Sequence, residues 1–77
     1  MNKCELAESV KTALDDYFMH LDGETPHAIY DMVLICVEKP MLEYILNKVS
    51  GNQSKAADIL GINRNTLRKK MAQYKLE

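Results

Sequence analysis

The stretch NQSKAADILGINRNTLRKK, residues 52–70, decides how the rest of the chain is read. Asn52 offers a side-chain oxygen to the unpaired N–H groups of a first helical turn and opens a helix over Gln53–Leu60. Gly61 stops that helix, because glycine enters the left-handed C′ conformation without steric cost. Ile62 is the apolar residue inside the turn, placed to fill the corner between two helices. Asn63 is a second cap, and a second helix follows over Arg64–Tyr74. Two helices crossing steeply over a short glycine turn form a helix-turn-helix. Ala57 falls where the two would cross, and a larger side chain there would push them apart.

Upstream, the apolar set Ile29, Met32, Val33, Cys36, Val37, Met41, Tyr44, Ile45 and Val49 has helical spacing, and Gly51 ends it. Thr25-Pro26 is read as its start, with threonine as cap and proline at the first helical position. Pro40 lies inside this run and removes a hydrogen bond to the Cys36 carbonyl. One kinked helix and two helices broken near Lys39 are both compatible. The first is favoured, because Val33, Val37, Met41 and Ile45 keep steps of four across the proline. Further upstream, Leu6, Val10, Ala13, Leu14, Tyr17, Phe18 and Leu21 mark one face of another helix, with Gly23 as its stop.

The apolar face of the central helix is wide, since Leu34, Ile35 and Leu42 add surface outside the stripe. One neighbouring helix would not cover it, and a patch of that size points to a partner. A chain of 77 residues is one domain with a small core of its own. A homodimer answers both problems, with the first two helices of each copy interleaved around Val10, Leu14, Phe18, Val33, Val37, Met41 and Ile45. A monomer with its C-terminal helices folded over the patch is the alternative. The expected fold is all-α with four helices: residues 1–49 form the dimerisation pair and residues 50–77 the helix-turn-helix.

A net charge of −1 conceals an asymmetry. Residues 1–49 carry four Lys or Arg against nine Asp or Glu, and residues 50–77 carry six against two. A basic end on an acidic body is a directed field that would meet a polyanion. The start of the last helix is crowded with Asn63, Arg64, Asn65 and Thr66. Arginine can make a bidentate contact to guanine and asparagine can read adenine. Arg68 shares a face with Arg64, and Lys69 and Lys70 flank it as candidate phosphate contacts. Asn52, Gln53 and Ser54 stand at a helix N-terminus, where anions bind. Leu67, Met71 and Tyr74 lie on the opposite side and would pack on the core. Each feature has a plainer reading: capping alone accounts for Asn52 and Asn63, and Arg68-Lys69-Lys70 can be a solvated face. Their conjunction carries the reading of a nucleic-acid-binding surface.

Other chemistry finds little support. Asp15, Asp16, Glu24 and Asp31 are scattered, and no base, nucleophile or phosphate loop converges on them. His20 is placed to meet carbonyls at the end of the first helix, and His27 falls in a first helical turn. Both are read as surface residues. Cys4 is read as a free thiol near the terminus and Cys36 as a small buried hydrophobe in a reducing cytosol. No enzyme activity, metal, cofactor, small-molecule substrate or membrane span is expected, the longest apolar run being Met32–Val37.

The segments SVKTALDDYF (9–18), IYDMVL with VEKPMLEYIL (29–46) and GNQSKAADILGINRNTLRKKMAQY (51–74) resemble the Fis family of bacterial nucleoid-associated proteins. The last segment also resembles the C-terminal DNA-binding domains of NtrC-type activators; the first two favour Fis. The resemblance implies a homodimer in the bacterial cytoplasm that binds and bends double-stranded DNA with little sequence specificity. It would organise the nucleoid and tune transcription, with RNA polymerase as a further candidate partner. It also implies DNA contacts from Asn52, Ser54, Asn63, Arg64, Thr66, Arg68, Lys69 and Lys70, with Asn63 and Arg64 nearest the bases. Ser54 replaces a threonine of well-known members and keeps the hydroxyl, whereas Ser50 and Asn65 replace an arginine and a glycine. Only five residues precede Leu6, so the longer arm of invertase-stimulating members has no counterpart, and DNA binding is expected without that activity. The alternatives are an isolated C-terminal domain of an NtrC-type activator and a helical protein-interaction module working through residues 1–49.

Overall fold

The computed structural model describes residues 3–77. Four helices and no strand occur among the described residues: α1 (Lys3–Met19), α2 (Ile29–Lys48), α3 (Gln53–Leu60) and α4 (Arg64–Gln73). The chain divides into two compact units, Met1–Val33 and Leu34–Glu77, and the division falls within α2.

In the first unit, α1 ends at Met19, two residues short of the apolar face that reaches Leu21. The His20 backbone N–H still bonds the carbonyls of Asp16 and Tyr17, and His20 Nδ1 lies 2.7 Å from the Asp16 carbonyl, the expected place for a histidine at a helix end. Val10, Leu14, Ile29, Met32 and Val33 are half-buried, and Phe18 is 51% exposed.

The start of α2 differs from the expectation. Thr25 and Pro26 do not begin it, and His27 lies in the connection before it. Ala28 has φ +52°, and a right-handed helix does not pass through a left-handed residue. The first helical bond therefore runs from the Met32 N–H to the Ala28 carbonyl. Pro40 sits inside one continuous helix, so the two-helix alternative does not hold.

The second unit holds the core. Leu42, Leu46, Ala56, Ala57, Leu67, Met71 and Tyr74 are buried together, and Ile45, Val49, Leu60, Ile62 and Leu76 pack around them. On α2 the buried line is Glu38, Leu42 and Leu46, one residue off the stripe of Val37, Met41 and Ile45. Leu42, read as surface outside the stripe, is 1% exposed and becomes the centre of this contact. Val37 and Met41 stay exposed, at 37% and 44%. Cys36 is also exposed, correcting its reading as a buried hydrophobe; Cys4 and Cys36 are both free.

Three helix ends in this unit close in the same way. The Gly51, Ile62 and Leu76 N–H groups bond the carbonyls five residues back, at Leu46, Ala57 and Met71, at 2.9, 3.1 and 2.8 Å. Each closure needs a left-handed residue just before the donor. Gly61 supplies it after α3, with φ +74°. After α2 and α4 it is Ser50 at φ +54° and Lys75 at φ +57°, which lack glycine's freedom.

Candidate nucleic-acid interface

The second unit brings the beginnings of its two short helices together. Asn52 is extended (φ −73°, ψ 100°), and its Oδ1 accepts the Lys55 backbone N–H at 3.1 Å. Asn63 is extended as well (φ −66°, ψ 143°), and its Oδ1 accepts the Asn65 N–H at 2.7 Å. Both asparagines therefore fix where a helix starts, as their side-chain chemistry dictates. α3 packs on α4 through Ala56 and Ala57, 0% and 4% exposed, against a side of α4 that buries Leu67 and Met71. The small side chains allow close approach at the crossing. Ala57 was legible as the crossing residue; Ala56, equally buried, was not singled out.

With Leu67, Met71 and Tyr74 turned inward, Asn63, Arg64, Asn65, Thr66, Arg68 and Lys69 are left exposed. Arg64 Nη1 donates to Ser54 Oγ at 3.1 Å, linking the first turn of α4 to the first turn of α3. Gly51, Asn52, Gln53, Ser54, Arg64 and Arg68 line a concavity of about 310 Å³. The lining joins the N-terminal residues of α3, a helix end whose amides favour negative charge, to two arginines. Asn65, Arg68 and Lys69 border a second concavity of about 840 Å³, with Leu46, Met71 and Leu76 on its apolar side. Thr66 lines neither of these.

Lys70 faces elsewhere. Its Nζ lies 2.8 Å from Glu38 Oε2, with the lysine side chain 30% exposed. The Tyr74 hydroxyl donates to Glu38 Oε1 at 2.5 Å. The Lys70 ammonium, and after it the Tyr74 hydroxyl, hold the Glu38 carboxyl below the usual carboxylate range against the opposing effect of burial. The same hydrogen bond pushes the Tyr74 phenol up to about 12, because ionising it would set two negative oxygens side by side. Sequence reasoning passed over Glu38. The available signal was an acid four residues before Leu42 and eight before Leu46, on one helical line. Among the described residues, no buried side-chain nitrogen or oxygen lacks a partner and no cluster suits a metal ion.

A capped helix, a left-handed glycine turn and a second capped helix with an exposed basic face define a helix-turn-helix. The sequence model of the bacterial regulatory protein family Fis matches residues 36–74. A protein of Ralstonia nicotianae, described as a Fis-like DNA-binding protein, is 50% identical over 76 residues, covering 99% of either chain. The DNA-binding protein Fis of Actinobacillus succinogenes is 52% identical over 69 residues, 90% of this chain and 70% of that protein. The Haemophilus influenzae protein of the same name is 51% identical over the same length. The chain belongs to the Fis family.

Proposed function

We propose that the chain is a homodimeric DNA-binding and DNA-bending regulator, working in the bacterial cytoplasm on the nucleoid and on transcription. The observation that carries this reading is the Ser54–Arg64 link, which gathers Asn52, Ser54, Arg64 and Arg68 around the N-terminus of α3. That arrangement suits a phosphate oxygen, held by amides and guanidinium groups. The first turn of α4, with Asn63, Arg64 and Thr66, would then reach base edges, as a recognition helix does. Lys69 serves as a flanking phosphate contact. Lys70, paired with Glu38, is not counted among the phosphate contacts.

The dimer is supported by the way α2 divides its apolar surface. One line, Leu42 and Leu46, is covered by the helix-turn-helix, while Val37 and Met41 beside it stay exposed. A second copy, presenting the same stripe together with Val10, Leu14, Phe18, Val33 and Ile45, would cover it isologously. Two recognition helices fixed on one dimer would have to fit one face of a duplex, and a spacing below one helical turn would require bent DNA. RNA polymerase is a further candidate partner of such a regulator.

Duplex binding followed by fluorescence anisotropy across a salt series tests the proposal. The logarithm of affinity should fall linearly with the logarithm of salt, by roughly 0.9 for each phosphate neutralised. Affinity independent of salt, or no binding to duplex of any composition, would refute it. Arg64→Ala should weaken binding by about 1–3 kcal/mol and relax preference at the base it reads.

A further inference from the structure

Glu38 takes no part in the proposed DNA contacts, yet it lies on the buried line of α2 and is 9% exposed. A buried ion pair adds little net stability compared with an apolar residue of similar size, so packing alone does not explain an acid here. What the carboxylate provides is direction. Its two oxygens hold two groups four residues apart: Lys70 on α4 at 2.8 Å and Tyr74, the residue that caps the end of α4, at 2.5 Å. Two bonds from one point to residues four apart fix both the rotation of α4 about its axis and its slide along α2. That rotation decides where Arg64, Thr66 and Arg68 face. The Arg64–Ser54 bond ties the other end of the same helix.

Resting on the DNA-binding reading above, we propose that Glu38, Lys70 and Tyr74 are positioning residues for DNA recognition. Lys70 acts through Glu38 to orient the recognition helix, and not by neutralising a phosphate.

Electrostatics and positioning give opposite signs for one substitution. Glu38→Gln removes an acid from a DNA-binding chain, which by charge alone would tighten binding. Positioning predicts the reverse: about threefold to tenfold weaker binding with the salt dependence unchanged. Lys70→Met should also weaken binding at an unchanged salt slope, whereas Lys69→Met should lower the slope by about 0.9. Lys70→Arg, which preserves the ion pair, should restore wild-type binding. Tyr74→Phe keeps the ring and loses only the hydroxyl, so it serves if the Glu38 variant does not fold; it too should weaken binding. Tighter binding by Glu38→Gln, a Lys70→Met slope lower by about 0.9, or wild-type binding by Tyr74→Phe would overturn the proposal. If the wild-type chain bound no duplex, the DNA reading itself would fail. The positioning role would still be read in the free protein, from residual dipolar couplings of α4 against residues 34–48. A change of orientation in Tyr74→Phe is expected, and an unchanged one would overturn the role.

Discussion

The two compact units of this chain use their apolar residues differently. In Leu34–Glu77, three helices close around seven buried residues, and each helix end is tied back into the unit. In the first unit no described residue is buried: Val10, Leu14 and Val33 are only half covered and Phe18 is 51% exposed. The sequences do not differ in kind, since both contain amphipathic helices. The difference is that the second unit covers one line of its apolar surface, Leu42 and Leu46, and leaves Val37 and Met41 exposed, whereas the first unit fully buries none of its own described residues. The unit that carries the candidate interface is thus the one with a buried core within a single chain. The exposed apolar residues of the first unit are among those the proposed second copy would cover.

The largest effect that could break this contrast is in the second unit. Leu67 is 0% exposed at the α3–α4 crossing, and Leu67→Ala should cost about 2–5 kcal/mol. Thermal or urea unfolding should show it at every protein concentration. A loss that varied with concentration would mean that this core, too, is shared between copies. The next effect belongs to the proposed shared surface. Met41→Glu places a charge on the exposed stripe of α2, and should raise the dimer dissociation constant by about a hundredfold or more. The amide exchange protection of α3 and α4 should change little. Unaltered dimerisation would remove the stripe from the interface.

A smaller effect follows from Glu38 and Tyr74. The Glu38 carboxyl is depressed in the fold, so its contribution is present above the ordinary carboxylate range of about 4.3 and is lost as pH falls through the lower folded value. The Tyr74 phenol is raised, so its contribution is present below about 10 and is lost as pH rises toward about 12. Melting temperature should therefore fall at both extremes, and Tyr74→Phe should flatten the alkaline side. An alkaline limb identical in that variant would contradict the assignment. The smallest effect is a gain. Ser50→Gly relieves a left-handed residue at the end of α2 and should stabilise the second unit by about 0.5–1 kcal/mol, measured by urea unfolding. A loss of stability would show that Ser50 contributes something other than backbone conformation.

Why some of this was legible from sequence and some was not follows from how far each signal reaches. The stretch from Asn52 to Arg64 was read to the residue, because an asparagine cap and a left-handed glycine act within one turn of chain. The start of α2 was misread, because Ala28 in a left-handed conformation leaves no mark in residue type, while Thr25-Pro26 looks like a start signal. Leu42 was read correctly as lying beside the stripe, but not as the line that the helix-turn-helix covers. Periodicity finds an apolar face but does not say which line of it a neighbour covers. Glu38 was missed because its partners lie 32 and 36 residues away, at Lys70 and Tyr74. Arg64, Arg68 and Ser54 were singled out as separate candidates, and it took the fold to bring them to one concavity.

The central proposal is that a helix-turn-helix with its own buried core is presented twice by a homodimer. Sedimentation equilibrium of the chain with a duplex of about 25 base pairs, long enough for two half-sites one helical turn apart, tests it most directly. The account predicts two chains on each duplex, at concentrations where the chain alone already sediments as a dimer. A monomer that binds one chain to each duplex, or no complex at all, would contradict it.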